Sequence, residues 1–367
     1  MFDPEKYRAR IEESERRLQT TSRFEEPDRV PILISEGGSY YCWLFGRDIA
    51  EYYREVALQI EVQLEGLEWA YEELGDDRTG YGLGTDLGPV GEGLLWDCAI
   101  ARPEGTSPWI EPCVHSLQDI ERLPVPDPAS SRGIKWALEQ HQRMIDLARQ
   151  RGITLDVGGR VGIHPPLSAA CALAPADLVY EWMYTAPDHL RLVFDKLLEA
   201  YFRLTDFYDR CLGLEQRRSV WLADDNSAFV SDPMYRELVL PYNRAIYERY
   251  GAEGRGLHAD GPNDHHFETY ADVLKLTRMD IGGFSDIAAA KRALAGKVVM
   301  SGGLNCKDLY GDFESARPAI ERAIRIGAPG GGYIFAIGGE TYAGVKPETL
   351  IRTVAYAKEI GRYPIAI

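Results

Sequence analysis

A histidine and an aspartate two residues apart, His258 and Asp260, follow a short apolar run in the segment 256–261. Residues i and i+2 of a β-strand point to the same face, so these two side chains project together from the end of a predicted strand. An imidazole beside a carboxylate suits either half of a metal site or an acid/base pair. The alternative is a structural histidine followed by a turn-forming Asp-Gly.

Polar residues also follow the other apolar runs of the chain. They are Glu36 with Tyr40 and Tyr41, His164, Asp224 with Asp225, Asp286, Cys306, and Glu340. Glycines accompany nearly all of them, which fits tight turns and a backbone that closely approaches a buried ligand. Loops also favour Gly and Asp for turns and helix caps, so one aspartate such as Asp224 or Asp286 carries little weight. The set as a whole predicts one site where the strand ends converge.

The Asp224-Asp225 pair is the candidate for acid/base catalysis. Two carboxylates turned into one pocket would repel each other, which raises the pKa of one and leaves a proton to donate. Because adjacent strand residues face opposite sides, we expect only one of the two to face the pocket and serve as the catalytic acid. His265 and His266 are expected at the surface, at the start of a helix. Cys306 is either a metal ligand or inert packing.

Short apolar runs that alternate with helical sequence position these residues. The predicted strands are 32–34, one strand within 75–90, 153–157, 219–223, 256–258, 279–281, 298–300 and 333–335. Strands buried on both faces and separated by helices predict an α/β fold with a parallel sheet. A count of eight predicts a (β/α)8 TIM barrel, in which chemistry gathers at the C-terminal strand ends.

Three regions depart from this regular rhythm. Residues 1–24 predict an N-terminal amphipathic helix outside the core, and residues 35–41 predict a loop of glycines and aromatics. Residues 75–114 predict a small inserted β-hairpin region, with β-like pieces at 95–100 and 109–112. We expect one barrel domain over residues 1–367.

Composition excludes several classes of partner. The chain has 41 basic and 57 acidic residues, a net charge of -16, and no long basic run, which argues against nucleic acid and anionic membranes. No apolar run approaches the roughly 18 residues of a membrane span, and the N-terminus lacks the features of a signal peptide. Six cysteines without CxxC spacing are typical of reduced thiols, so we expect a cytoplasmic location. The sequence contains no P-loop, GxGxxG, GxSxG or HExxH motif.

A series of segments occurs in a characteristic order. They are Pro27-Asp-Arg-Val-Pro31, Ala223-Asp-Asp-Asn226, Val230-Ser-Asp-Pro-Met-Tyr-Arg-Glu-Leu-Val-Leu-Pro-Tyr242, His258-Ala-Asp-Gly261, Val298-Val-Met-Ser-Gly-Gly-Leu-Asn305, Gly330-Gly-Gly-Tyr-Ile-Phe335 and Lys346-Pro-Glu-Thr-Leu350. In this order they resemble the uroporphyrinogen decarboxylase superfamily, over about residues 25–360. The resemblance implies a (β/α)8 barrel, in agreement with the strand count.

Within that superfamily the chain resembles the zinc- and cobalamin-dependent methyltransferases more than the true decarboxylases. The decarboxylases carry Arg-Gln-Ala-Gly-Arg-Tyr after the first strand, whose arginines hold substrate carboxylates, whereas residues 35–41 here contain no arginine. The methyltransferases hold zinc on a His-x-Cys pair after the fifth strand and a Cys after the last. This chain keeps the histidine as His258 but has Asp260 and Gly339, beside Glu340, at the cysteine positions. Oxygen ligands leave a metal more Lewis acidic than thiolates do, which favours an ether oxygen as the target, or else a site without metal.

The resemblance therefore implies a methyltransferase that moves a methyl group from a small aromatic methyl ether to the corrinoid of a partner protein. Asp225 and His258 are then the catalytic residues, and the candidate ligands of Zn²⁺ are His258, Asp260, Glu340 and Cys306. The predicted substrate-binding residues are Glu36, Tyr40, Tyr41, His164, Asp224 and Tyr333. The sequence has no Asp-x-His-x-x-Gly stretch that would hold cobalamin, so the corrinoid is expected on another protein.

Two other functions stay open from the sequence. A metal-independent decarboxylase or lyase would use the same pocket on a small carboxylated or tetrapyrrole substrate. A barrel that binds a tetrapyrrole or corrinoid without turnover is the non-enzymatic alternative. A homodimer is also compatible with the sequence.

Overall fold

Short β-strands alternate with α-helices along the chain in the computed structural model, which describes residues 2–214 and 217–365. The strands are β1 (Ile32–Leu33), β2 (Leu83–Gly84), β3 (Ile100–Ala101), β4 (Trp109–Ile110), β5 (Val157–Gly158), β6 (Ser219–Ala223), β7 (Gly254–His258), β8 (Arg278–Asp280), β9 (Val299–Asn305) and β10 (Tyr333–Gly338). The strand predicted over 219–223 has the observed bounds. Those predicted near residues 32, 256, 279, 298 and 333 are present with shifted ends.

Eight of these strands pair in parallel. Six form a sheet in the order β1-β10-β9-β8-β7-β6, and β2 pairs with β5. These eight strands match the predicted count, and the chain has the predicted α/β fold of a TIM barrel. The remaining two, β3 and β4, pair antiparallel with Ile100 opposite Ile110, so the inserted hairpin is also confirmed.

The helices cover the outer face of the strands. They are α1 (Arg8–Ser22), α2 (Gly38–Leu44), α3 (Ile49–Tyr52), α4 (Val56–Trp69), α5 (Gly91–Trp96), α6 (Leu117–Arg122), α7 (Arg132–Gln150), α8 (Pro166–Leu173), α9 (Ala176–Thr185), α10 (Pro187–Cys211), α11 (Asp232–Met234), α12 (Leu240–Tyr250), α13 (Ile287–Leu294), α14 (Phe313–Gly327) and α15 (Pro347–Ile360). Helix α10 shows why they pack, because Leu190, Val193, Phe194 and Leu197 recur at helical spacing and are buried. Among the described residues, no helix is both long and apolar enough to cross a membrane.

The predicted N-terminal helix is present as α1, and one of its arginines anchors it to the barrel. The Arg17 guanidinium is buried and donates to Asp28 at 2.8 Å and to Asp77 at 2.8 Å. Asp77 in turn accepts the backbone N–H of Ile32 in β1 at 2.8 Å. The helix is therefore tied to the first barrel strand by buried charges rather than by apolar contacts alone.

Three local predictions are wrong. Residues 35–41 are not entirely a loop, because α2 begins at Gly38 and carries both tyrosines. The strand predicted over 153–157 starts only at Val157, since residues 153–156 lead into it as irregular backbone. Residues 95 and 96 belong to α5 rather than to a β-like piece, and Asp97 ends that helix in a left-handed conformation with φ of 55°. Each error falls at a segment too short for hydrophobic period to distinguish helix from strand.

The strand register stacks the inward-facing side chains of the barrel in layers. Trp221 pairs with Gly256 and Gly256 with Arg278, which places these three residues in one layer across β6, β7 and β8. Ala223 pairs with His258 and His258 with Asp280, which makes the next layer toward the C-terminal strand ends. We call these the Trp221 layer and the His258 layer. That residues 1–367 form a single domain stays a prediction.

Candidate active site

His258 lies at the end of β7 with a carboxylate on either side of its ring. Its Nδ1 lies 3.0 Å from Asp280 Oδ2, on the neighbouring strand, in a hydrogen bond that fixes the ring. Its Nε2 faces Asp225 Oδ1 at 3.6 Å and Asp260 Oδ2 at 3.7 Å. Asp225 Oδ1 also accepts the backbone N–H of Asp260 at 2.7 Å. The predicted pair His258 and Asp260 therefore shares its site with Asp225.

The electrostatics of this group are dominated by negative charge. Burial alone lowers the pKa of His258, but the hydrogen bond to Asp280 and the charges of Asp280, Asp225 and Asp260 outweigh it and raise the pKa to about 9. Burial raises the pKa of Asp260, and the nearby carboxylate of Asp225 raises it further against the opposing effect of His258. At neutral pH the ring is therefore an imidazolium among carboxylates unless a cation takes the place of its proton.

The donor set fits a divalent metal. One ligand atom from each of Asp225, His258 and Asp260 lies within 4.8 Å of the other two. Imidazole nitrogen and carboxylate oxygen both bind zinc, and three protein ligands with a fourth position left for water or substrate are the pattern of catalytic zinc sites. Asp280 would hold the other ring nitrogen, the outer partner that metal-binding histidines usually have.

The other two predicted ligands, Glu340 and Cys306, lie outside that group of ligand atoms. Glu340 lines the same cavity as His258, and burial raises the pKa of its carboxyl. The Cys306 sulfur is buried and accepts the backbone N–H of Tyr342 at 3.4 Å, and burial raises the pKa of its thiol. Glu340 is the better placed of the two to approach a cation at His258.

The site opens into a cavity of about 690 Å³. Its polar walls come from Asp260, Asp280, Arg278, Ser301 and Glu340, and its apolar walls from Leu33, Ile34, Trp221, Ala336 and Ile337. A second cavity of about 360 Å³ lies beside it and shares Trp221 and Ala223 with the first. The first lies on the side of β7 to β10 and the second on the side of β2 and β5, so β6 stands between two cavities with room for a small molecule.

Asp224 and Asp225 follow the last residue of β6, and their carboxylates make different contacts. The Asp224 carboxylate is buried and accepts from Ser168 Oγ at 2.7 Å and Asn243 Nδ2 at 2.8 Å. Burial raises its pKa to about 6 despite those two hydrogen bonds. Asp224 lines neither cavity, and its structural contacts lie behind β6.

The predicted aromatic substrate residues are also buried away from both cavities. Tyr333 is fully buried and donates to the carbonyl of Gly302 at 2.8 Å. Tyr40 donates to the carbonyl of Val345, and Tyr41 donates to Glu36 at 3.2 Å. Glu36 is itself paired with Arg78 at 2.9 Å. Burial raises the pKa of Glu36 to about 7, although Arg78 opposes the shift.

His164 lines the second cavity and is held by a residue that sequence reasoning missed. Its backbone N–H and its Nδ1 both contact Glu92 Oε1, at 2.6 and 2.9 Å. The charge of Glu92 raises the pKa of His164 to about 9, although burial opposes it. His266, expected at the surface, is fully buried with Nδ1 3.1 Å from Asp232 and Nε2 3.0 Å from the carbonyl of Ser227. That prediction is wrong, whereas His265 is exposed.

Three further residues of the main cavity, Asp280, Arg278 and Trp221, were missed as site residues. Each lies inside a predicted strand or directly beside one, so the pattern of polar residues after strand ends does not include it. A signal was present, because Arg278 and Asp280 flank Met279 with a period of two, and Ser219, Trp221 and Ala223 alternate with buried Val220 and Leu222. That alternation marks the barrel-facing side of each strand.

Comparison with known proteins gives one family. The family model described as Uroporphyrinogen decarboxylase (URO-D) matches residues 13–360. The chain is 24% identical to the uroporphyrinogen decarboxylase of Pseudomonas fluorescens over 275 residues, which cover 71% of each protein. It is 24% identical to that of Geobacillus kaustophilus over 259 residues, 70% of this chain and 72% of the relative.

Among solved structures, a methyltransferase from Methanosarcina mazei superposes with a TM-score of 0.67 at 16% identity. The match covers 94% of this chain and 98% of that one, so the fold agrees over nearly the whole length of both. With the parallel strands and the order of segments described above, the family match decides the assignment. The chain belongs to the uroporphyrinogen decarboxylase (URO-D) family and is an enzyme of that superfamily.

Proposed function

We propose that this protein is a methyltransferase that moves a methyl group from a small aromatic methyl ether to the corrinoid of a partner protein. The observation that carries the proposal is the group formed by Asp225, His258 and Asp260, whose ligand atoms lie within 4.8 Å of one another, with His258 and Asp260 lining the large cavity. Such a donor set favours a Lewis-acidic cation beside the substrate. The fold shared with a methyltransferase agrees with this function.

The absence of an arginine clamp supports methyl transfer over porphyrinogen decarboxylation. Residues 35–41 contain no arginine, and the nearest arginine to Glu36, Arg78, is held by Glu36 and Asp76. Its charge is therefore already balanced by two buried carboxylates. Residues 35–41 therefore offer no guanidinium that could hold the carboxylates of a polycarboxylated substrate, and Arg78 is already engaged.

A divalent ion such as Zn²⁺, held by Asp225, His258 and Asp260, would supply Lewis acidity to the ether oxygen. The reduced corrinoid of the partner would supply the methyl acceptor, and the bond between the methyl carbon and the ether oxygen would break with its electron pair left on oxygen. Asp280 keeps the His258 ring oriented through Nδ1. Asp225 and Asp260 would hold the ion as carboxylates, so the charge left on the departing oxygen would be stabilised at the cation and its proton would come from solvent. The apolar walls of the cavity, with Trp221, suit a flat ring and exclude water.

The surface around the strand ends suits a docking partner. Three large aromatic side chains, Phe229, Phe284 and Tyr342, follow β6, β8 and β10 and are 71%, 66% and 52% exposed. Exposed aromatic residues grouped around a cavity are typical of protein interfaces. We propose this rim as the surface where the corrinoid protein binds.

The first test is elemental analysis of protein purified without a histidine tag, for wild type, His258→Ala and the exposed control His265→Ala. We expect about one zinc per chain in wild type and in the control, and none in His258→Ala. The same proteins are then mixed with a reduced corrinoid protein and aryl methyl ethers, and methyl-cobalt formation is followed by absorbance. Zinc without methyl transfer from any aryl methyl ether contradicts the proposal.

A second candidate is a metal-independent decarboxylase or lyase acting on a small carboxylated substrate. The observation in its favour is the imidazolium of His258 beside Asp225, an acid and a carboxylate already paired at neutral pH. The curated relatives that match 71% of the chain are decarboxylases by name. Turnover of a carboxylated substrate by zinc-free protein, with no stimulation by added zinc, would establish this candidate over the first.

A further inference from the structure

The Trp221 layer forms the floor of the large cavity. Trp221 and Arg278 both line the cavity, and Gly256 lies between them in the register of the three strands. A Cβ atom at Gly256 would overlap the indole of Trp221, so glycine gives the ring its place. The ring is 47% exposed although it sits on a barrel strand. The floor is therefore an open aromatic surface rather than packed core.

Arg278 is a cation without a protein partner in this floor. Among residues 2–214 and 217–365, its guanidinium makes no hydrogen bond or ion pair, and its buried Nε has no acceptor. Its Cζ lies 5.8 Å from the centre of the Trp221 ring. Two other partly buried arginines differ, since Arg160 is paired with Asp209 at 2.6 Å and Arg78 with two carboxylates. Half-buried donors without acceptors are costly, which points to a ligand that supplies them.

The position of Arg278 relative to the His258 layer gives the geometry of that ligand. Arg278 and Asp280 are two residues apart on β8 and face the same cavity, so their backbones are about 6.6 Å apart along the strand. Asp280 contacts His258, while Arg278 lies one layer deeper. A single aromatic ring with substituents at opposite ends spans a distance of this order.

We propose that Trp221 and Arg278 form a subsite for the planar, negatively charged end of the substrate, an aromatic carboxylate. The ring stacks on the exposed indole, and the guanidinium donates two parallel hydrogen bonds to the carboxylate. The inference rests on the proposed function for the other end of the ligand, where the methyl ether would reach the His258 layer. The substrate class is then an aryl methyl ether that carries a carboxylate opposite the ether.

The test is equilibrium binding of two probes that differ only in charge, 4-methoxybenzoate and 4-methoxybenzamide. Binding is measured by calorimetry and by quenching of tryptophan fluorescence, without corrinoid protein. The proteins are wild type, Arg278→Gln, Arg278→Lys, Trp221→Phe and the control Arg218→Gln, whose arginine is exposed before β6 and paired with Glu253. Circular dichroism checks that each variant is folded.

In wild type and in Arg218→Gln we expect the carboxylate to bind at least about tenfold more tightly than the amide, the factor for a charge-assisted hydrogen bond. Arg278→Gln should abolish that preference, Arg278→Lys should keep part of it, and Trp221→Phe should weaken both probes alike. Equal binding of the two probes to wild type overturns the inference, as does a preference that survives in Arg278→Gln. If Arg278→Gln does not fold, the comparison of probes on wild type and Arg278→Lys still decides.

The outcomes separate this inference from the proposed function. If the protein prefers the carboxylate probe but transfers no methyl group, the subsite is supported and the proposed reaction is contradicted. If a neutral anisole donates its methyl group as fast as 4-methoxybenzoate and the two probes bind equally, the proposed reaction is supported and the subsite is contradicted.

Discussion

Two clusters of carboxylates lie in the barrel, one beside β1 and one at the ends of β6, β7 and β8, and they differ in what neutralises them. In the first, Asp77 is buried and contacts the guanidinium groups of Arg17 and Arg29 at 2.8 and 2.6 Å. In the second, Asp225, Asp260 and Asp280 surround one imidazole, His258. We call them the arginine-paired cluster and the His258 cluster. Both are acidic in sequence, but only the second keeps excess negative charge beside a cavity.

This difference separates stability from function. Carboxylates fully paired with arginine and with backbone N–H groups hold the N-terminal helix to the barrel, and they have no capacity left for a ligand. Carboxylates that share a single imidazole repel one another, which costs stability and creates affinity for a cation. Substitutions in the first cluster should therefore change stability, and substitutions in the second should change cation binding.

Breaking the arginine-paired cluster should cost the most. Asp77→Ala leaves the buried guanidinium of Arg17 without its partner, so we expect a loss of about 3–5 kcal/mol in the free energy of unfolding. Urea denaturation followed by circular dichroism measures it. Burial raises the pKa of Asp77, but Arg29, Arg17 and the N–H of Ile32 outweigh burial and lower it below 3.8.

The stabilisation from Asp77 should therefore be complete above about pH 4 and disappear as the pH falls through that lowered pKa. Wild type and Asp77→Ala should differ by a constant amount between pH 5 and pH 9 and converge in acid. A difference that shrinks above pH 5 contradicts the assignment of this cluster to stability.

Zinc binding by the His258 cluster should depend steeply on pH. The pKa of His258 is about 9 without metal, so binding at Nε2 must release a proton at lower pH. We expect the apparent affinity for zinc to rise about tenfold per pH unit between pH 7 and pH 9 and to level off above that. Competition titrations with a chromophoric chelator measure it. Affinity that does not change with pH would mean that His258 is not a ligand.

Removing the outer partner of the ring should weaken metal binding without removing a ligand. Asp280→Asn replaces the carboxylate that holds Nδ1 at 3.0 Å, and we expect zinc affinity, measured above the His258 pKa of about 9 where the proton no longer competes, to fall about 10- to 100-fold. Asp272→Asn is the matched control, because Asp272 is exposed and contacts Lys297. Equal affinities in the two variants would show that Asp280 does not orient a metal ligand.

Replacing a carboxylate of the His258 cluster should change stability least. Asp225→Asn keeps an oxygen that accepts the N–H of Asp260 and removes one repelling charge. We expect the free energy of unfolding to stay within about 1 kcal/mol of wild type, in contrast to Asp77→Ala. Thermal and urea denaturation of metal-free protein check it. A loss as large as that of Asp77→Ala would remove the distinction between the two clusters.

The part of the barrel that contains β6 to β10 could be predicted from the sequence, because hydrophobic runs and their spacing specify these strands. Strand β6 has the predicted bounds, and β7 to β10 differ only at their ends. The part that contains β2 and β5 could not be predicted in the same detail. Each of these strands has only two residues, which is too short a pattern to distinguish strand from loop. The antiparallel hairpin between them was found by its glycines and tryptophans.

The candidate site divides in the same way. The spacing of His258 and Asp260 already required that both point to one face of a strand. It could not show that Asp280, on the next strand, holds the other ring nitrogen, since strand register relates residues that lie 22 positions apart. The tyrosines at 40, 41 and 333 follow or lie in predicted strands, yet their hydroxyl groups are satisfied by buried carbonyls or by Glu36.

By itself, then, the sequence determined the family, the alternation of strands and helices, and the histidine and aspartate at the end of β7. The tertiary structure decided which charges find partners. Asp76, Asp77 and Glu36 meet arginines, whereas Asp225 and Asp260 share one imidazole, and the Arg278 guanidinium lies near Trp221 without a hydrogen bond among the described residues. Local sequence cannot encode this, because the energy of a charge depends on the distance to other charges and on exclusion of water. Both are set by residues far apart in the chain.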